Sequence, residues 1–301
     1  MTRVQKTKIG NIIALIFAII MVVYAFTKEM DKHRDDEYKS EDVDVSVHFI
    51  DVGQADCAVI KSPYGNILID AGFYENVSDT IEYINSLGIE EFEYAIFTHP
   101  HSDHIGGASE LLDTYKFTNV IMPDAVSVSY SYEKMLESLE KENCDIIEGE
   151  FGKTFVLGEE LKIELLAPVK DYSSIPDELN NTSVVARISY GEVSFLFTGD
   201  AEISSELDML YNDLPKLNAD ILKVGHHGSS TSSCEDFLYS VSPDVAIISA
   251  GENNDYGHPH REVVKGLQKI GAKMYVTYEV GNIVVTTDGK TYSIITEKQK
   301  S

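Results

Sequence analysis

Seven of the nine histidines in this 301-residue chain fall in three short clusters, and each cluster follows or closely trails an apolar run. That pattern constrains the fold more than any other feature, because it puts metal-binding side chains where strands end. Tyr94-Ala-Ile-Phe-Thr98 reads as a buried strand and leads into His99-Pro-His101-Ser-Asp103-His104-Ile-Gly-Gly107. Side chains two apart in an extended stretch face the same way, so His99 and His101 can share one metal ion. Asp103 and His104, displaced by the turn, can take a second. Imidazole and carboxylate ligands suit Zn2+ or Mn2+, so two divalent ions per chain are expected.

Two further strand ends carry related groups. Phe195-Leu-Phe-Thr-Gly199-Asp200 puts a carboxylate at the end of an apolar run, where it is costly unless paired or metal-bound. Beside the first cluster, a metal-bridging carboxylate is the better reading than a helix cap. Ala219–Val224 leads into Gly225-His226-His227-Gly228-Ser229-Ser230. The Gly228–Ser230 stretch can expose backbone N–H groups and hydroxyls to a phosphate oxygen. Consecutive residues of a strand face opposite ways, so His226 and His227 are expected to divide labour unless the chain turns sharply between them. His258-Pro-His260 forms the third cluster, open to a metal, supporting, substrate or plain surface role.

Short β-rich runs alternate with helical ones from residue 43 onward. Strands are expected at Val43–Ile50, Ala58–Lys61, Asn66–Ile69, Tyr94–Thr98, Val120–Met122, Leu161–Leu166, Val184–Ser189, Val193–Thr198, Ile221–Val224, Val245–Ser249, Met274–Tyr278 and Ile283–Thr286. Helices are expected at Ser78–Leu87, with Ser78 as N-cap, and at Ala108–Tyr115, Tyr130–Lys141, Glu202–Tyr211 and Arg261–Ile270. Strands follow one another too often for strict βαβ alternation. Two β-rich halves, each with its own helices, predict an α/β (α+β) fold, a four-layer αββα sandwich.

Ahead of it, Ile12–Phe26 is an unbroken apolar run, extendable through Ile9, with Arg3, Lys6 and Lys8 before it and a charged segment after it. The organisation expected is a cytoplasmic basic stub over 1–8, one transmembrane signal anchor over 9–27, a charged tether over 28–42 and the folded domain over 43–301. No small-x-small cleavage site ends the run, so an uncleaved anchor is preferred to a signal peptide. The basic flank predicts a single-pass cell-membrane protein with its domain extracellular, the alternative being secretion after cleavage. The net charge is −26, and with no Lys/Arg cluster such a surface repels polyanions. Cys57, Cys144 and Cys234 are widely spaced, which argues against a disulfide framework or a thiolate zinc site.

These motifs resemble the metallo-β-lactamase superfamily, and more narrowly the hydrolase domain of the competence (DNA-uptake) ComEC family and its stand-alone relatives. The matching pieces are His48-Phe-Ile-Asp-Val-Gly-Gln-Ala-Asp56, Ile67-Leu-Ile-Asp70-Ala-Gly72, the His99–His104 stretch, Asn180-Asn-Thr-Ser183, Phe197-Thr-Gly-Asp200, Lys223-Val-Gly-His-His-Gly-Ser229 and Gly257-His-Pro-His260. The resemblance implies that His99, His101, Asp103, His104 and Asp200 are metal ligands, with His226 as the late one. It implies that His227 and His258 contact the leaving group or phosphate, and that Asp51, Asp56 and Asp70 orient imidazoles. Asn181, with Gly228, Ser229 and Ser230, becomes a candidate substrate contact. Many members carry one more metal-binding histidine before the late Asp. This chain has none between 104 and 226. The His99/His101 site could then be completed by water, by an oxygen ligand or by His227.

The activity implied is hydrolysis by a hydroxide bridging two metals, with Asp103 in the catalytic set and His227 or His258 donating a proton to the leaving oxygen. A phosphoesterase is expected, phosphodiesterase or nuclease included. Its anionic substrate would be a small molecule, a cell-wall polymer or DNA. Lactam or lactone hydrolysis and a non-catalytic metal-binding ectodomain are the alternatives. No protein partner can be deduced.

Overall fold

The structure, a computed structural model, describes residues 44–175, 178–212 and 217–298. The expected stub, anchor and tether over 1–42 lie outside the described residues. Among the described residues no helix is long and apolar enough to cross a membrane.

The chain builds one sheet, then a second, then returns to the first. Strands β1 (Val45–Phe49), β2 (Ala58–Lys61), β3 (Ile67–Ile69), β4 (Glu91–Ile96), β5 (Lys116–Met122) and β6 (Asp145–Glu148) open the first sheet. Strands β7 (Thr154–Leu157), β8 (Leu161–Ala167), β9 (Val185–Tyr190), β10 (Val193–Phe197), β11 (Ile221–Lys223), β12 (Val245–Ile248) and β13 (Lys273–Val276) form the second. Strands β14 (Ile283–Thr287) and β15 (Tyr292–Thr296) then pair beside β1, giving the order β15-β14-β1-β2-β3-β4-β5-β6. Asp288 closes the β14–β15 turn by accepting the N–H groups of Lys290 and Thr291.

Period-two patterning explains how the layers stack. Val45, Val47 and Phe49 of β1 face Phe195 and Phe197 of β10 across a shared core, with Phe49 stacked on Phe197 at 5.5 Å. The alternate residues of the first sheet, Val59, Leu68 and Val120, meet helices α1 (Val77–Ser86), α2 (Ser102–Ile105), α3 (Ala108–Thr114) and α4 (Tyr130–Lys141). Leu196, Leu222 and Ala246 of the second sheet meet α5 (Ile203–Tyr211), α6 (Glu235–Val241) and α7 (Arg261–Ile270). A short α8 (Thr277–Val280) follows β13. The architecture is therefore a mixed α/β sandwich with helices on both outer faces, as expected.

Several details differ from the sequence reading. Strands β6, β7 and β15 and helix α6 were not anticipated, because these segments are short and present several polar or exposed residues. Helix α1 starts at Val77 after Asn76, so Ser78 lies inside the first turn and is not the N-cap. What matters for function is that β3–β6 run parallel to one another and β10–β13 do likewise. Crevices outside the carboxyl ends of parallel strands are where open α/β sheets bind ligands. All three histidine clusters emerge there.

Candidate metal centre

The Asp200 carboxylate is the hub. Its Oδ1 lies 3.1 Å from His104 Nε2, while its Oδ2 has His226 Nε2 at 3.6 Å, His227 Nε2 at 3.8 Å and His99 Nε2 at 4.0 Å. Asp103 Oδ2 adds contacts of 3.2 Å to His227 Nε2 and 3.9 Å to His104 Nε2. His99 Nε2 and His101 Nδ1 face each other at 3.0 Å.

Local backbone produces this convergence. After β4 the chain extends through His101, and α2 begins there, swinging Asp103 and His104 away from His99 and His101. A Cβ on Gly106 would lie 2.4 Å from the Ser102 carbonyl oxygen, so only glycine lets α2 close against the chain at Tyr74. Gly199 has φ +50°, and a Cβ there would lie 2.7 Å from the Thr98 side chain; its absence brings the ends of β4 and β10 together. Asp200 is then fixed by donating its N–H to Ser183 Oγ (3.1 Å).

The outer nitrogens of the rings are committed, which fixes the tautomers. His104 donates Nδ1–H to Asp70 Oδ2 at 2.7 Å, and Asp70 also accepts the Thr98 N–H and hydroxyl, each at 2.8 Å. His227 donates Nδ1–H to the Ser249 carbonyl (3.0 Å), with Asp56 Oδ1 at 3.3 Å. Asp56 in turn holds the buried Lys223 ammonium at 2.7 Å. His226 Nδ1 sits 3.1 Å from Thr231 Oγ1 and 3.2 Å from Glu202 Oε1. In all three rings Nε2 is the nitrogen turned inward, and in the neutral ring it carries the lone pair a metal would take.

The field at the hub demands positive charge. Burial opposes ionisation of Asp103 and Asp200, yet the surrounding imidazoles outweigh it, holding Asp103 down to about 2 and Asp200 well below the carboxylate range. Burial likewise opposes charge on His227, but Asp200 and Asp56 push it up to about 10. His104 is raised by Asp200, Asp70 and Asp103 against the same burial penalty. His99 is pushed well below its ordinary value by burial and by His104.

A metal fits this donor set. His104 Nε2 and Asp200 Oδ1 are both buried with no hydrogen-bond partner although they face each other. Asp103, His104, Asp200 and His227 present four ligand atoms within 4.8 Å of one another. With metal–nitrogen bonds of about 2.1 Å, neighbouring ligand atoms stand roughly 3–3.5 Å apart, close to the spacings here. His99 and His101 form a second pair of converging nitrogens beside Asp200.

Several of the residues singled out in the sequence sit differently from the sequence reading. His226 and His227 do not continue a strand. Both adopt left-handed backbone, φ 48° and 53°, in a tight turn after β11. Alternation therefore does not apply, and it is His227, 2% exposed, that joins Asp103, His104 and Asp200. His226 reaches the same carboxylate, its Nε2 3.6 Å from Asp200 Oδ2. The Gly228–Ser230 cradle is already engaged: Ser229 N–H donates to the His226 carbonyl and Ser230 N–H to His260 Nδ1. Asn181 is buried, its Oδ1 accepting the N–H groups of Glu202 and Ser205 at the start of α5. Among the described residues Asp51 contacts no imidazole; its carboxylate faces the Gly53 N–H at 3.4 Å. Asp56 and Asp70 do meet imidazoles, as above.

Gln54, Thr98, Ser183, Glu202 and Lys223 support the site and were not foreseen individually. The available signal was a lysine inside the apolar run Ile221-Leu-Lys-Val224 and a glutamate two residues after Asp200. Gln54 accepts the Gly251 N–H through Oε1 (3.0 Å), so its amide N–H donates to His258 Nδ1 (3.2 Å). The proton of His258 is then on Nε2. Burial and the neighbouring His260, His226 and His227 lower its pKa to about 4, so the ring is a neutral hydrogen-bond donor. It lies 5.7 Å, ring to ring, from His226.

Comparison with known proteins agrees with this picture. The sequence profile of the metallo-beta-lactamase superfamily matches residues 50–252. ComE operon protein 3 of Bacillus subtilis (strain 168) is 33% identical over 255 residues, covering 79% of this chain and 32% of that protein. Recombination protein 2 of Haemophilus influenzae is 31% identical over 244 residues, covering 79% and 28%. The chain thus spans about a third of the length of these curated relatives. The metallo-beta-lactamase fold protein YhfI from Bacillus subtilis superposes with a TM-score of 0.52 at 14% identity, over 77% of this chain and 96% of that one.

Proposed function

The chain belongs to the metallo-β-lactamase superfamily, and we propose that it is a metal-dependent phosphoesterase acting on phosphodiesters. Asp103, His104, Asp200 and His227 would hold one divalent cation, and His99 and His101 with Asp200 a second. Bound there, divalent cations would supply Lewis acidity and lower the pKa of water.

The neutral His258 carries the phosphoester reading. A phosphoryl group presents anionic oxygens that need donors beyond the metal ligands. Lys223 is buried against Asp56 and unavailable, whereas the Nε2–H of His258 is a donor beside the cluster. His227, with both nitrogens engaged, orients and binds and does not protonate a leaving group. With its pKa near 4, His258 donates a hydrogen bond and keeps its proton.

The test is metal analysis with a substrate panel of bis-p-nitrophenyl phosphate, single-stranded DNA and nitrocefin. Chelator-sensitive hydrolysis of the phosphodiester, at rates well above nitrocefin, is expected. Faster nitrocefin turnover would sink the assignment. DNA cleavage would extend the substrate range to the polymer. Residues 9–27 complete the reading as a membrane anchor with the domain outside. Protease added to intact cells should digest the domain, and a mature N-terminus near residue 28 would contradict the anchor.

A further inference from the structure

A cavity of about 550 Å³ opens beside His258 at the carboxyl ends of β12 and β13. Its volume is in the range of small-molecule sites, roughly 300–1,000 Å³. Met274 and Val276 contribute to an apolar floor, while Glu252, Tyr278 and Glu279 stand among the polar groups lining it. Among the described residues that line it there is no lysine or arginine. The two carboxylates act on one place, since both raise the Tyr278 phenol after burial has done so.

We propose that this cavity receives an ammonium-bearing part of the substrate, so that the phosphodiesters hydrolysed are zwitterionic. The inference rests on the phosphoesterase reading for the reaction, and on the cavity alone for the ligand class. Three physical arguments support it. An alkylammonium group matches an apolar floor with acidic groups, because its methylenes cover Met274 and Val276 while its charge meets Glu252 and Glu279. Tyr278 also lines the cavity, and an aromatic ring there attracts a cation. The third argument concerns the whole chain. With a net charge of −26, the protein repels a polyanion at long range, and each added phosphate worsens that. A zwitterion of zero net charge approaches without this penalty, and the metal centre holds its phosphate locally. His258 links the two subsites: its ring lies 5.7 Å from that of His226, and the residue also lines the cavity.

The experiment compares 2-aminoethyl phosphate with n-propyl phosphate, which has the same size and lacks the ammonium. Both are titrated calorimetrically into the metal-loaded full chain, and bis-p-nitrophenyl phosphate hydrolysis is followed in parallel. The aminoethyl ester should bind about tenfold more tightly, ~1.4 kcal/mol. The double variant Glu252→Gln/Glu279→Gln should bring that ratio close to one while hydrolysis of bis-p-nitrophenyl phosphate stays unchanged. Equal affinities in the parent chain, binding of neither ester, or a ratio that survives the double variant would each overturn the proposal. If the diester is untouched but the affinity ratio holds, the cavity assignment stands and the reaction class falls. If the diester is hydrolysed and the ratio is one, the reverse is true.

Discussion

Replacing Lys223 by methionine tests whether the site is braced from behind. The ammonium is 2.7 Å from Asp56 Oδ2, with the two side chains only 5% and 7% exposed, and it also donates to the Val224 carbonyl at 3.0 Å. Methionine fills much of the space of the stem and removes the charge. Asp56 would then keep a buried carboxylate with only the His227 and His104 imidazoles to compensate it. Breaking one partner of a buried ion pair costs about 3–5 kcal/mol. At roughly 2–4 °C per kcal/mol for a domain of this size, the melting temperature should fall by about 6–20 °C. The second variant, Lys223→Met with Asp56→Leu, removes both charges. Hydrophobic replacement of a whole buried pair is often neutral, so most of the stability should return. Metal affinity should not return, because the His227 ring then keeps only the Ser249 carbonyl on Nδ1. Losing such an outer partner typically weakens metal binding about 10–100-fold. The assays are thermal denaturation of the metal-free chain and competition with a chromophoric chelator. A single variant within about 1 kcal/mol of the parent, or a double variant with parental metal affinity, would refute the reasoning.

Two other outcomes follow from the geometry. His227→Ala should lose the ion shared by Asp103, His104 and Asp200, whereas His226→Ala should retain it; metal analysis showing the opposite pattern would return the late-ligand role to His226. Glu206, 2% exposed, accepts the N–H groups of Ser233 and Cys234 ahead of α6, and burial pushes its pKa from 4.5 up to about 7. A raised acid pKa gives stability that is complete below 4.5 and is lost as pH rises through 7, a contribution of roughly 3 kcal/mol. Glu206→Gln should flatten the decline in denaturation midpoint between pH 5 and 8, and an unchanged slope would show that another group causes it.

The sequence by itself determined the strand-end clusters, the sandwich of two β-rich halves and the family. Those features are local: a five-residue apolar run ending in His99-Pro-His101-Ser-Asp103-His104 needs no distant partner to be read. The long amphipathic helices, such as Arg261–Ile270, were legible for the same reason. Short strands such as Asp145–Glu148 were not, because pairing with β5 stabilises them more than their own composition does. Only the tertiary structure decided which side chains face the hub. The left-handed backbone at His226 and His227 takes them out of strand alternation and brings His227 to Asp103, His104 and Asp200. Asn181 looked like a substrate contact until α5 claimed its carboxamide, and Gly228–Ser230 looked like a phosphate cradle until His226 and His260 engaged two of its N–H groups. Gln54 reaches His258 across 204 residues, and Lys223 reaches Asp56 across the interface of the two sheets. A side chain's chemistry is encoded at its own position, but its protonation and orientation depend on neighbours that folding alone brings within 3 Å.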